Sequence, residues 1–296
     1  MLWVRRAGLA AIGGMAARRL QPHSESRPAH CLGQLVPPYP ARGTPPAYRP
    51  TSGRGPTSHA SGPASLAAQS NRWAANCVLM TERNEVNEAL QSSYDRVAED
   101  YAKQFRDEMA QKPFDRKMLD WLVDKVDGRG IICDMGCGPG QIARYLHSQG
   151  VKVCGVDLSP AMVQQAQSLN PEIPFQRGDM LALSEVAANA YGGIAAFYSL
   201  VHIPRQKVVQ ALQEFKRVLR PQGVLLLAFH IGRAIKHLDE WWGKEVSVDV
   251  LFFETEEMKS YLMAAGFGLE GVVERDPYPE AVEYQSRRAY IFAKKE

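Results

Sequence analysis

Hydrophobic and polar positions divide the chain into two unlike parts. Up to residue 79 no amphipathic pattern persists beyond about Leu20, whereas from Thr81 onward apolar residues recur with regular periods. Tyr94, Val97, Tyr101, Phe105 and Met109 step by three, four, four and four, which places them on one face of a long helix running to about Ala110. Met118, Leu119, Leu122 and Val126 predict a second helix from about Phe114 to Val126, broken by Asp127-Gly128.

Short apolar runs then alternate with helical stretches. Strands are expected in the apolar run from Ile131 that ends in Asp134 and at Lys152–Val156, Pro174–Gln176, Gly193–Tyr198 and Val224–Phe229. A helix opens after Ser159-Pro160, a cap residue followed by a proline at the first helical position. Another runs from about Arg205 to Leu219 until Pro221-Gln222-Gly223 stops it. This alternation argues for a parallel, doubly wound α/β sheet with helices on both faces. The tail breaks the rhythm. A helix from Thr255 to Ala265 is followed by strands at Leu269–Val273 and Arg288–Ala293 joined by a proline-bearing loop, so the last strand pair is expected to be antiparallel.

The chemistry concentrates in one turn. Ile131-Ile132-Cys133-Asp134-Met135-Gly136-Cys137-Gly138-Pro139-Gly140 ends an apolar run in an acid, sets glycines on alternate positions and leads into a helix. Glycines let backbone approach a ligand closely, and the helix start offers free N–H groups. A dinucleotide turn of the Gly-x-Gly-x-x-Gly type would want glycine where Gln141 stands. Asp157 ends the next strand, 21 positions after Gly136, where an acid accepts from both hydroxyls of a ribose. Gly178-Asp179-Met180 follows the third strand.

Composition changes the picture at the N-terminus. Residues 1–79 hold nine Arg, no Lys, one acid and ten of the 19 prolines, a formal +8 against +3 for the whole chain, so the other 217 residues carry −5. That segment reads as a disordered leader, its first twenty residues resembling a mitochondrial presequence, with a catalytic domain expected over 80–296. Placement is therefore expected to be cytoplasmic, or in the mitochondrial matrix if the leader acts as a presequence. The acidic body lacks a basic stripe and argues against nucleic acid, and no apolar run reaches the roughly 18 residues that span a bilayer. The five cysteines, Cys31, Cys77, Cys133, Cys137 and Cys154, lack zinc spacing and read as buried hydrophobes, so no metal site is expected.

Taken together, Asp134 with its three glycines, Asp157 and Asp179 resemble the motifs of the class I S-adenosylmethionine (SAM) dependent methyltransferases, in order and spacing, from Tyr94 to the tail. The resemblance implies a mostly parallel seven-stranded Rossmann-like sheet with an antiparallel last strand. It also implies SAM as cofactor, bound by Tyr94, Asp134, Gly136, Cys137, Gly138, Gly140, Asp157, Leu158, Met162, Asp179, Met180 and Tyr198, with residues 80–127 as a helical N-terminal cap. The family often has an acid just before the fourth strand; here it is Gly192.

Methyl transfer asks mainly for alignment and exclusion of water, with a base where the acceptor must lose a proton. His202, after the fourth strand, is the candidate base, and His230, ending the fifth, is a weaker one. Residues 231–253, with Trp241-Trp242 and Phe252-Phe253, are expected as an acceptor-side insert, and Arg287-Arg288 near Glu283 and Tyr284 either bind an acceptor carboxylate or form a solvated edge. The expected activity is transfer of a methyl group to a small-molecule acceptor, releasing S-adenosylhomocysteine. A non-catalytic SAM-binding subunit and a nicotinamide-dependent oxidoreductase are the alternatives. The acceptor and the oligomeric state have no signature.

Overall fold

The computed structural model describes residues 87–296. The leader, Cys31, Cys77 and the domain start at residue 80 lie outside the described residues. The chain enters in helix α1 (87–105) and passes through a 3-10 turn, Glu108–Gln111. Helices α2 (Pro113–Val126), α3 (Gln141–Ser148), α4 (Pro160–Leu169), α5 (Arg205–Val218) and α6 (Thr255–Ala264) follow. The strands are β1 (Ile131–Met135), β2 (Val153–Asp157), β3 (Phe175–Arg177), β4 (Tyr191–Phe197), β5 (Leu219–His230), β6 (Ile235–Trp241), β7 (Lys244–Leu251), β8 (Phe267–Arg275) and β9 (Arg288–Lys295). Among the described residues no helix is long and apolar enough to cross a membrane.

Seven strands form one sheet in the order β3-β2-β1-β4-β5-β9-β8. All neighbours pair in parallel except β9, which runs antiparallel to both β5 and β8. Side chains of a strand alternate between faces, and β5 shows why helices cover both. Leu225, Leu227 and Phe229 pack with Val208, Leu212 and Phe215 of α5 and Met258 and Leu262 of α6. Val224, Leu226 and Ala228 pack with Met118, Leu119 and Leu122 of α2, Ile142 and Leu146 of α3 and Val163 of α4.

Several boundaries differ from the sequence reading. Helix α1 ends at residue 105, and Met109, set one turn beyond in 3-10 geometry, packs with Met118 and Leu119 instead of continuing the α1 face. Helix α5 stops at Val218 without waiting for the proline. Leu219 already pairs with Tyr191, and Pro221-Gln222-Gly223 falls within β5, where the register with β4 shifts. The insert at 231–253 is an antiparallel hairpin, β6–β7, closed by Trp242-Gly243 between the paired Trp241 and Lys244. Both turn residues have positive φ, 52° and 76°, as the right-handed twist of a two-residue hairpin demands.

Two glycines make room for one ring. Added methyl groups at Gly140 (φ 84°) and Gly155 would meet Phe175, at 2.8 Å from Cζ and 2.6 Å from Cε1 respectively, with Cys137 Sγ a further 2.9 Å contact at Gly155. Phe175 thus locks β3 against the glycine turn. Gly155→Ala overpacks this contact and should destabilise the protein by about 1–3 kcal/mol, read from the midpoint of urea unfolding.

Candidate active site

The glycine turn crosses the carboxyl ends of β1 and β2. Gly136, Gly138 and Gly140 all take positive φ, 75°, 50° and 84°, which L side chains rarely adopt. Gly136 N–H donates to Val156 O at 2.8 Å, fixing the turn to β2. A Cβ on Gly136 would run into Ser199, whereas one on Gly138 would find only Tyr101, at 3.8 Å. The backbone at Gly138 is therefore open, as close approach of a ligand requires. Cys137 is buried, and burial raises its thiol pKa well above the ordinary value. Cys133 and Cys154, paired in register across β1 and β2, are free thiols.

Each acid is held by backbone. Asp134 Oδ2 accepts from Ala143 N–H at 3.0 Å inside the first turn of α3. Asp157 Oδ2 accepts from Gly138 N–H at 2.8 Å and its Oδ1 from Ser159 N–H at 2.9 Å. Asp179 Oδ1 accepts from Leu181 N–H at 2.8 Å, and its Oδ2 accepts from Asn87 Nδ2 at 3.0 Å. Leu158 and Asp179 line a shallow cleft with Asn87, Glu88, Gln91 and Arg177. Met162 is buried, its N–H bonded to the capping Ser159 Oγ, and the Met180 methyl lies 3.5 Å from where a Cβ of Gly136 would be. These residues share one rim.

Helix α1 lies across that rim, fastened to the β6–β7 hairpin. Val97 packs with Trp241, Val246 and Val248, and Tyr94, Tyr101 and Phe105 join the cluster. Ser247 N–H donates to Ser93 Oγ at 2.9 Å, and Lys244 pairs with Asp100 at 2.7 Å. Asp95 reaches Ser159 Oγ at 2.5 Å and Ala161 N–H at 3.1 Å, joining α1 to the start of α4. The insert thus seats its tryptophans on α1: Trp241 is 5.9 Å from the Tyr94 ring and 5.5 Å from Tyr101.

His202 stands at the meeting point. Its Nδ1 lies 2.8 Å from the main-chain oxygen of Asp249 in β7, an acceptor only, so Nδ1 carries the hydrogen. Nε2 is then the lone-pair nitrogen, and the Tyr94 hydroxyl donates to it at 2.8 Å. Burial lowers the His202 pKa below its ordinary value and raises that of Tyr94, so both groups stay neutral at pH 7.

Tyr198 lies on the far side of the turn. Its hydroxyl contacts Asp115 at 3.4 Å and Tyr290 at 3.3 Å, and its ring is 5.3 Å from His230. It belongs with a buried ionic cluster that sequence reasoning missed. Arg275 pairs with Asp115 at 3.0 Å and with Glu283 at 2.5 Å; neither Arg275 nor Asp115 carries a local motif, and they are 160 positions apart. Arg288, named with Arg287 from sequence, is buried with Glu283 at 3.6 Å, while Arg287 is exposed and pairs with Glu274 at 2.8 Å. Ser199 and Gln141 were missed too. The Ser199 hydroxyl and Gln141 Oε1 are buried beside the turn without a hydrogen-bond partner. Among the described residues no group of three or more His, Cys, Asp or Glu is placed to hold a metal ion.

A sheet of this order, a glycine turn after its first strand and acids at the ends of the next two define a Rossmann-like class I methyltransferase fold. The chain matches a methyltransferase domain model over residues 132–223. It is 27% identical over 170 residues to the YqeM protein of Bacillus subtilis, covering 56% of this chain and 65% of that one. With trans-aconitate 2-methyltransferase of Escherichia coli it shares 30% identity over 118 residues, 37% of this chain and 40% of the relative. The chain thus spans less than two thirds of either relative's length. The solved 1,6-didemethyltoxoflavin N1-methyltransferase of Burkholderia thailandensis, bound to its acceptor and S-adenosylhomocysteine, superposes with a TM-score of 0.56 at 20% identity, covering 72% of this chain and 89% of that one. These likenesses are to methyltransferases and favour that reading over the nicotinamide one.

Asp134 gives the site a pH signature. Burial first, then the charges of Asp157 and Glu108, push its carboxyl up to about 8 against the bond from Ala143. An unfolded aspartate titrates near 3.9, so the stabilisation carried by the protonated folded form is complete below about pH 4 and lost as pH rises to about 8. The melting temperature of the protein without added cofactor should fall between pH 5 and 8. Asp134→Asn should flatten that fall, by up to about 1 kcal/mol per pH unit.

Proposed function

We propose that the protein transfers a methyl group from SAM to a small-molecule acceptor, releasing S-adenosylhomocysteine. The observation that carries this reading is the shared rim, where an open Gly138 backbone lies 2.8 Å from Asp157 and beside two buried polar atoms without partners, Ser199 Oγ and Gln141 Oε1. These groups suit a ligand with ribose hydroxyls and a polar tail. Asp157 would take the ribose, Leu158 and Met162 would flank the adenine, and Asp179 would accept from its amino group while Met180 lines the ring. Asp134 and the Gly136, Cys137, Gly138 and Gly140 backbone would surround the methionine end, with Tyr94 above it and Tyr198 at its acceptor side. Trans-aconitate, in the name of one relative, is a small molecule, which fits this acceptor class. The cytoplasm suits this chemistry, with the mitochondrial matrix as the alternative should the leader act as a presequence.

The cofactor supplies a methyl group already activated on a sulfonium. Helix α1 and the β6–β7 hairpin exclude water from it. His202, fixed by the Asp249 carbonyl with its lone pair on Nε2, takes the acceptor's proton once the Tyr94 hydroxyl yields that position.

Titration calorimetry tests the cofactor. SAM should bind in the micromolar range, and Asp157→Ala should weaken it by about 1–3 kcal/mol, the cost of a lost charged hydrogen-bond acceptor. No heat from a folded protein would overturn the reading. A second experiment addresses His202. Because the base works when neutral, turnover should decline as pH falls through its pKa, which lies below the ordinary 6.5. His202→Gln should lower kcat by about 10²–10⁴ and erase that acidic limb, with SAM affinity kept.

A further inference from the structure

Helix α2's entrance, the end of β5, the hairpin and the start of β9 bring cations to one place. Arg288 faces His230 across the β5–β9 ladder. Its guanidinium lies 5.5 Å from the Tyr198 ring centroid, and Lys112 Nζ lies 5.9 Å from the same centroid. Lys236 Nζ is 4.2 Å from the Tyr284 centroid and 5.8 Å from that of Phe252, whose ring stacks on His230 at 4.9 Å. Arg288 is 3% exposed, and its Nε is buried with no hydrogen-bond partner. Its other nitrogens donate to Ser286 O at 2.6 Å, to the Ser286 hydroxyl and to Tyr284 O at 2.9 Å.

The carboxylates in reach are already committed. Glu283 gives both oxygens to Arg275, at 2.5 and 3.1 Å, and reaches Arg288 only at 3.6 Å. Asp115 holds Arg275 at 3.0 Å, and Glu108 holds Lys112 at 2.5 Å. Among the described residues Lys236 has no carboxylate partner. Lys112, Arg275, Arg288 and Lys236 therefore face three acids and leave one positive charge in excess. A buried guanidinium N–H without an acceptor is costly, so the cluster asks for an anion.

His230 completes the donor set. The Ser286 hydroxyl accepts from Arg288 and lies 2.8 Å from His230 Nδ1; in the tautomer where it donates to Nδ1, the ring hydrogen sits on Nε2. Burial, then Arg288, Lys112, His202 and Lys236, lower the His230 pKa well below its ordinary value, so the ring is neutral and acts as a donor.

We infer that the methyl acceptor carries a carboxylate, anchored by Arg288 with Lys236 and His230 while the atom to be methylated faces His202. This rests on the methyltransferase reading above. A carboxylate matches the single excess charge and the donor edge of one guanidinium, whereas a phosphate dianion would be undercompensated.

The full chain with SAM should be assayed for S-adenosylhomocysteine release against aliphatic and aromatic mono-, di- and tricarboxylic acids, each beside its amide. At least one acid should serve with kcat/KM tenfold or more above that of its amide. Lys236→Gln should raise KM for that acid about threefold and Arg288→Gln about tenfold, both with unchanged SAM affinity by calorimetry. Lys236 is exposed on the hairpin, so its variant carries the test if Arg288→Gln fails to fold by circular dichroism. Amides serving equally, unaltered KM in the variants, stronger inhibition by inorganic phosphate than by a non-reacting acid, or no acid turned over while SAM binds would each overturn the inference and leave cofactor use standing. Failure of SAM to bind the wild-type protein would overturn both.

Discussion

The bond from Gly138 N–H to Asp157 Oδ2, 2.8 Å long, joins the turn after β1 to the end of β2, and the rim is arranged around it. A parallel sheet ends in strand termini whose next residues have no ladder partners, so whatever crosses there must satisfy its own backbone. Positive φ at three glycines lets the turn do so, with Gly136 and Cys137 N–H on the Val156 carbonyl, while Gly138 N–H faces Asp157. Phe175 then needs Gly140 and Gly155 bare, and Ser199 needs Gly136 bare. The geometry of the rim is therefore a packing consequence of β3 and of the residues after β4 as much as of the turn itself.

Opposite charges organise the other half of the molecule. Arg275, Asp115, Glu283 and Arg288 are all nearly or fully buried, and burying charges is favourable only with near-complete pairing. Arg275 achieves that, adding a bond to the Tyr290 hydroxyl at 2.9 Å, and so ties α2 to β8 and β9. Arg288 does not. The same network thus fixes the antiparallel tail strand and leaves one cation incompletely paired at the end of β5.

The rim was legible from sequence because its pieces are local. Buried parallel strands read as apolar runs, and an acid or glycine at the end of a run lands at the carboxyl edge whatever the helices do, as with Asp134, Asp157 and Asp179. Tyr94 and Tyr101 were placed on the right face of α1 by period alone. Partnerships across the chain were not legible. Asp115 and Arg275 meet only because β8 folds back beside β9, and His202 acquires its tautomer from a carbonyl 47 positions away. The hairpin was hidden because Trp242-Gly243 lacks the asparagine or aspartate that usually marks such a turn, and the start of β5 because its proline reads as a helix stop.

The hairpin turn has an optical consequence. Two of the chain's five tryptophans, Trp241 and Trp242, stack at 5.0 Å and lie within about 6 Å of Tyr101, with Trp241 equally close to Tyr94. Indole emission responds to local polarity, so any shift of α1 away from the hairpin would wet this pair before it disturbed the sheet. The molecule thus carries its own fluorophore where α1 meets the hairpin, and any change in that contact can be followed without a label.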